Sequence, residues 1–298
     1  MKILVTGGTV FASRYTAEYF TEKCHDVFVL NRGNDVQSVG VTHIKADCHA
    51  LGDVLKNHRF DAVLDVTAYN GTDVRELLDG LGEYGTYILI SSSAVYPETL
   101  PQPLNEEQTV GENSFWGKYG TDKIEAENCV KSTLSDYYII RPPYLYGPLN
   151  NVYREAFAFD CAERDMPFYL PKDGSMPLHF FHIRDLCRFM ELILETKPKN
   201  RVFNVGNSTT VTIREWVTEC YHAMGKEPNF VLVDGSVPQR NYFPFYDYAY
   251  ILDVTRQQEI MRETIPFSDG IKECCELYKH NMAPVKRKPL LEYIEKNF

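Results

Sequence analysis

The stretch that most constrains this chain is its beginning, Lys2-Ile3-Leu4-Val5-Thr6-Gly7-Gly8-Thr9-Val10-Phe11. Ile3, Leu4 and Val5 form a short unbroken apolar run, the pattern of a strand buried on both faces of a parallel sheet. Gly7 and Gly8 break the run, and Phe11 to Lys23 reads as a helix with Phe11, Tyr15, Tyr19 and Phe20 towards one side. A strand, a glycine turn and a helix N-terminus together make a place for a phosphate or pyrophosphate. Backbone approaches the ligand closely at glycine, and the free N–H groups and helix dipole favour negative charge. Of a Gly-x-x-Gly-x-x-Gly spacing only Gly7 is present, with Val10 and Ser13 at the other two places.

Further strands are expected at Asp26–Leu30, Val41–Ala46, Ala62–Thr67 and Tyr87–Ile90, the last running into Ser91-Ser92-Ser93. Helices are expected at Leu51–Asn57 and Thr72–Leu81. This alternation predicts right-handed βαβ units and a doubly wound parallel sheet with both faces covered. In such sheets the ligand crevice lies at the C-terminal ends of the strands. Gly7, Asn31, Asp47, Thr67, Ala68 and the serine run are thereby placed on one rim. At the end of the second strand, an Asp or Glu would accept from both ribose hydroxyls, whereas an Arg pairs with a 2′-phosphate. Asn31 and Arg32 stand there, with Arg14 as a helper, so the cofactor is NAD or NADP with NADP favoured.

Composition excludes some classes. A net charge of −10 over 298 residues argues against a sequence-independent grip on nucleic acid, so no nucleic-acid partner is expected. The one compact basic cluster, Lys286-Arg287-Lys288, reads as solvated surface. Eight cysteines show no metal-ligand spacing, and Cys129, Cys187 and Cys220 fall in helical patterns as small apolar residues, so no metal is expected. No signal peptide and no membrane span are read, and a reducing cytoplasm is the expected location.

The chemistry concentrates at Tyr119-Gly120-Thr121-Asp122-Lys123. Four residues apart on a helix, Tyr119 and Lys123 share a face. A free tyrosine, with a pKa of about 10, is a poor base at neutral pH, and a fixed ammonium within ~4–6 Å favours the phenolate. Tyr19 and Lys23 repeat the spacing, but nothing puts that tyrosine on the rim, and the pair reads as structural. The serine run at the end of the fifth strand distinguishes Tyr119. Ser92 or Ser93 is placed to hydrogen-bond the substrate oxygen that Tyr119 protonates or deprotonates.

With these residues the chain resembles an extended short-chain dehydrogenase/reductase of the NAD(P)-dependent epimerase/dehydratase group, which acts on sugar nucleotides. The matching segments, in the family's order, are Thr6-Gly7-Gly8-Thr9, Ser91 to Tyr96, Tyr119-x-x-x-Lys123 and Arg141-Pro142-Pro143-Tyr144-Leu145-Tyr146-Gly147-Pro148. Phe181 to Leu186 and Phe203 to Asn207 follow. The resemblance implies a Rossmann-like fold with a smaller α/β substrate-binding lobe. It implies Tyr119 as general acid/base, Lys123 as its pKa modulator and ribose ligand, and Ser92 as the catalytic serine, with Ser93 the fallback and a substrate contact. The cofactor would meet Thr6, Gly7, Gly8, Val10, Phe11, Asn31, Arg32, Asp47, Thr67, Ala68, Tyr69, Pro142 and Tyr144 as well as Tyr119 and Lys123. Arg240 would face the substrate diphosphate. Dehydratases of this family follow the Ser/Thr with an acidic pair, and Ser93-Ala94 here leaves an epimerase or ketoreductase on a nucleotide sugar. A non-catalytic dinucleotide-binding or RNA-binding relative is the alternative. The short segment between the fourth and fifth strands lacks a helix that carries the family's dimer contact, so no oligomeric state is implied.

Beyond Gly147, helices are expected at Phe157–Arg164, Asp185–Glu195 and Ile213–Met224, and a strand at Phe168–Leu170. His179 and His182 read as core or hydrogen-bonding groups. The aromatic stretch Tyr242 to Tyr248 reads as lobe core ahead of a sugar-stacking surface. The dinucleotide domain is expected to be 1–148 with returning segments near 178–207 and 245–255. The lobe is expected to be 149–177, 208–244 and 256–298.

Overall fold

The computed structural model describes residues 1–280 and 285–298. Six strands come first, β1 (Lys2–Thr6), β2 (Asp26–Asn31), β3 (Thr42–Lys45), β4 (Arg59–Asp65), β5 (Glu83–Ile90) and β6 (Tyr137–Arg141). Helices α1 (Phe11–Glu22), α2 (Gly71–Gly80) and α3 (Lys118–Thr133) lie between them. The second half begins with β7 (Tyr144–Tyr146), α4 (Glu155–Glu163), β8 (Phe168–Pro171), β9 (Pro177–Leu178), β10 (Phe180–His182) and α5 (Ile183–Thr196). It continues with β11 (Val202–Asn204), β12 (Val211–Thr212), α6 (Ile213–Ala223) and β13 (Phe230–Val233). Helices α7 (Thr255–Gln258), α8 (Phe267–Lys279) and α9 (Leu290–Asn297) close the chain.

Seven strands make one parallel sheet in the order β11-β6-β5-β4-β1-β2-β3. The period of two along each strand decides which layer each residue feeds. Ile3, Val5, Val29, Leu64 and Ile88 pack under α1 and α5, while Leu4, Phe28, Val63, Tyr87 and Leu89 pack under α2 and α3. The near-continuous apolar strands are thus explained, since both faces are buried. A third core joins α4, α6, α8 and α9 around Phe157, Trp216, Phe243 and Phe245. Among the described residues no helix is long and apolar enough to cross a membrane.

The expected helix at Leu51–Asn57 is instead a string of turns, with Val54, Lys56 and His58 N–H groups each reaching back three residues. Leu51 and Leu55 are buried as a helix would have them, but Gly52 adopts φ +52° and interrupts the helical path. The strand order reverses between β1 and β4, one leading to β2 and the other to β5. That is the switch point at which open α/β sheets leave a crevice.

Candidate active site

The glycine turn is shaped by packing before any ligand is considered. Gly8 has φ +92°, and a Cβ there would lie 2.6 Å from Val29 Cγ1. Only glycine lets α1 sit this close to β2. Thr6 is spent on the sheet rather than the crevice. Its Oγ1 donates to Asp65 at 2.9 Å and accepts from the Val66 and Thr67 N–H groups at 2.9 and 3.1 Å. Buried Asp65 also accepts from Tyr87 and from the Ala68 N–H, so its carboxylate is well satisfied without a ligand.

At the C-terminal ends of β1, β4 and β5 the sheet and the lobe enclose a cavity of about 560 Å³. Of the sequence-identified residues, Val10, Phe11, Thr67, Tyr69, Ser92, Tyr119, Lys123, Pro142, Tyr144 and Arg240 line it. Thr6, Gly7, Gly8, Asn31, Arg32, Asp47, Ala68 and Ser93 do not line it. Asn31 is tied to the Gly7 carbonyl at 2.7 Å and to Gln37 at 2.9 Å. Asp47 is exposed and accepts from the His49 N–H. Ser93 is buried, with Tyr250 beside it.

Tyr119 and Ser92 meet because α3 starts unusually close to the turn that follows β5. Ser92 Oγ accepts the Ala94 N–H at 3.1 Å, capping the single 3-10 turn Ser93–Val95. A Cβ on Gly120 would come within 2.5 Å of the Ala94 carbonyl, so the glycine after Tyr119 permits the approach. Burial raises the Tyr119 phenol above its ordinary pKa, hydrogen bonding by Ser92 works to lower it, and Tyr69 adds to the rise. The buried Lys123 ammonium donates to the Ala68 and Ile90 carbonyls at 2.7 and 2.8 Å. Burial brings Lys123 itself down to about 8, against the opposing pull of Asp65, Glu127 and Asp73. Two of its three N–H donors are used, which leaves one for another partner.

Beneath the serine run lies a buried polar network. Ser91 Oγ donates to Glu127 at 2.7 Å, and Arg141 makes two bonds to the same carboxylate at 2.8 and 2.6 Å. Arg141 continues to the Tyr96 hydroxyl, and Tyr96 to Asn204. Both serines border the cavity, but Ser91 commits its hydroxyl to the network beneath it.

Sequence reasoning missed several lining residues. Trp116, just before α3, and Arg154, Tyr246, Tyr250 and Lys288 of the second half also line the cavity. The aromatic stretch divides its work: Phe243 and Phe245 are core, whereas Tyr246 faces the site; Tyr250, just beyond the stretch, does both. Lys288 belongs to the run read as solvated surface, and it is exposed there while also lining the cavity rim. No carboxylate lines the cavity among the described residues. His179 and His182 are hydrogen-bonding groups, His179 to the Asn207 carbonyl and His182 capping α5. Tyr19 donates to Glu191 at 2.6 Å, far from the crevice, as its structural reading expects.

The chain and its fold have known relatives. The chain is 26% identical over 283 residues to the chloroplast stem-loop binding protein of 41 kDa b from Arabidopsis thaliana, covering 87% of this chain and 74% of that one. Its fold is similar to UDP-N-acetylglucosamine 4-epimerase from Bacillus cereus, with a TM-score of 0.75 at 19% identity over 94% of this chain and 99% of the other. It is also similar to UDP-glucuronic acid 4-epimerase from Bacillus cereus, solved with UDP-glucuronic acid and NAD, with a TM-score of 0.74 at 18% identity over 94% and 100%. A family model describing the NAD dependent epimerase/dehydratase family matches residues 3–206. With that match running from β1 to just beyond β11, the chain belongs to the NAD dependent epimerase/dehydratase family.

Proposed function

We propose that this protein is an NAD(P)-dependent epimerase or ketoreductase that moves a hydride at a carbon of a nucleotide sugar. The observation that carries the reading is the placement of Tyr119, Ser92 and Lys123 on one cavity with Arg240. Tyr119 exchanges a proton with the substrate hydroxyl or carbonyl oxygen, and Ser92 hydrogen-bonds that oxygen. Lys123 offers its remaining N–H to the cofactor ribose, and Pro142 and Tyr144 wall the nicotinamide side. The bound dinucleotide supplies the hydride acceptor and donor. Its fit is supported by a cavity at the switch point that reaches the start of α1 at Val10 and Phe11. The test is a panel of UDP-, dTDP- and GDP-sugars with NAD or NADP, followed for epimer formation and for net cofactor reduction or oxidation. Epimer without net cofactor change identifies an epimerase, stoichiometric change a ketoreductase, and neither result with any sugar refutes the proposal.

The preference for NADP rests on Arg32, which is exposed and makes no hydrogen bond or ion pair among the described residues. Arg14 is less available, being held by Glu18 at 2.8 Å. Arg32→Ala is expected to weaken NADP by about 10-fold and NAD by less than about 2-fold, since a charge-assisted contact to phosphate is lost in one case only. Fluorescence titration measures both, and equal losses would remove the selector role.

The likeness to a stem-loop binding protein favours a second reading, an RNA-binding relative without turnover. The net charge of −10 and the intact Tyr119–Lys123 spacing weigh against it. Stem-loop RNA retained on a filter in ~150 mM salt, together with an inert sugar panel, would establish that reading instead.

A further inference from the structure

Outside the cavity, the turn that follows β3 gathers three unlike donor atoms. The Ala50 N–H donates to the Asp47 carbonyl at 2.9 Å, and the His49 N–H donates to Asp47 Oδ1 at 3.1 Å. The chain doubles back there. One carboxylate oxygen of Asp47, the Cys48 sulfur and one ring nitrogen of His49 come within 4.8 Å of one another. Cys48 and His49 are exposed, and the Cys48 thiol is unbridged.

A fourth group reaches the turn from α2. His49 Nδ1 lies 2.6 Å from Glu76 Oε2. A carboxylate accepts and does not donate, so Nδ1 carries the proton and, in the neutral ring, Nε2 keeps its lone pair. A carboxylate behind an imidazole is the arrangement that orients metal-binding histidines and raises their basicity. Asp47 and Asp73 are negative neighbours of both Cys48 and His49, which adds a local field that draws cations. Thiolate, imidazole and carboxylate together suit a borderline divalent ion such as zinc, whereas magnesium and calcium take oxygen sets. Donors at ~2.0–2.3 Å from a tetrahedral zinc stand ~3.3–3.8 Å apart. Rotation of the exposed side chains closes the present spread of 4.8 Å to that range.

We propose that Asp47, Cys48 and His49, with Glu76 orienting the imidazole, bind one divalent ion of the zinc class at the C-terminal end of β3. Binding forms bonds from an Asp47 oxygen, the Cys48 sulfur and His49 Nε2, and the thiol proton leaves to solvent. Three protein donors leave the fourth position to water. The site stands apart from the nucleotide-sugar reading, since none of the four side chains lines the cavity. Metal-ligand spacings pass over it because its donors are consecutive residues folded by a turn, with the orienting acid 27 positions further on.

Titration of the untagged full chain with cobalt(II), followed by displacement with zinc, tests the site. Wild type is expected to take up one cobalt per chain and to show a thiolate-to-cobalt charge-transfer band that zinc abolishes and magnesium does not. Cys48→Ser is expected to lose the band, whereas Cys24→Ser, at another exposed cysteine, keeps it. Glu76→Gln is expected to weaken zinc by about 10-fold, and His49→Ala by at least as much. Circular dichroism of each variant without metal checks that the fold is kept. No band at saturating cobalt overturns the proposal, as does a band that survives Cys48→Ser or vanishes with Cys24→Ser. Zinc affinity that ignores both His49→Ala and Glu76→Gln also overturns it, because the metal would then sit on a lone thiol.

Discussion

Turnover of Tyr119→Phe is expected to fall by about 10²–10⁴-fold, the usual contribution of a positioned proton donor or acceptor. Cofactor affinity is expected to survive. The phenyl ring keeps its edge-on contact with Tyr69, at 6.1 Å between centroids, and its contact with Trp116. Lys123 keeps its place because the Ala68 and Ile90 carbonyls, not the phenol, hold it. Steady-state assay beside NAD titration separates the two effects, and a variant with undiminished turnover would take the proton role away from Tyr119. The pH profile carries a second signature. Because burial raises the phenol above its ordinary value, the group is protonated at neutral pH and suited to donate. Carbonyl reduction should therefore hold level through neutrality and decline as pH rises through the phenol's pKa. Alcohol oxidation should climb over the same range, as the phenolate forms.

Glu127→Ala is expected to produce the largest loss of stability, about 3–5 kcal/mol, because it strands a buried guanidinium. Arg141 is 2% exposed and Glu127 fully buried, so neither can turn to water. Ser91 loses its acceptor in the same step. Urea unfolding measures the change, and a loss below about 1 kcal/mol would mean that the pair is no better than a surface bridge. The dependence on pH has a definite sign. Burial works to raise the Glu127 pKa, but Arg141, Lys131 and Ser91 outweigh it and hold the carboxyl below its ordinary 4.5. Its stabilising contribution is complete above that value and disappears as pH falls through the lowered one. The gap in stability between wild type and Glu127→Gln should accordingly narrow in acid.

Legibility in the sequence followed the kind of interaction. Ile3, Leu4 and Val5, or Tyr119 and Lys123, announce themselves because strand and helix periods are local, and the sheet and the helix carrying Tyr119 could be read directly. Of the rim residues Thr67 lines the cavity, whereas Asn31 does not, its side chain being taken by the Gly7 carbonyl; Thr6, implied by the resemblance as a cofactor contact, is likewise taken by Asp65. No spacing rule reveals that such a group already has a partner far along the chain. Arg154 carries no local signal at all, since only the folding of the lobe brings it to the cavity with Arg240 and Lys288. The Leu51–Asn57 turns show the converse: Leu51 and Leu55 imitate a helical stripe, while one left-handed glycine decides the backbone.

The bridge between Val152 and Lys286 has a consequence for how the molecule is assembled. The sheet and its glycine turn come from the early strands, yet Lys288 also lines the pocket and α9 behind it packs into the lobe core. A chain trimmed by carboxypeptidase back past this segment should still recognise a dinucleotide while losing its grip on the other reactant. Affinity for the two would then be lost in sequence during digestion, in an order set by where along the polypeptide each half of the pocket is encoded.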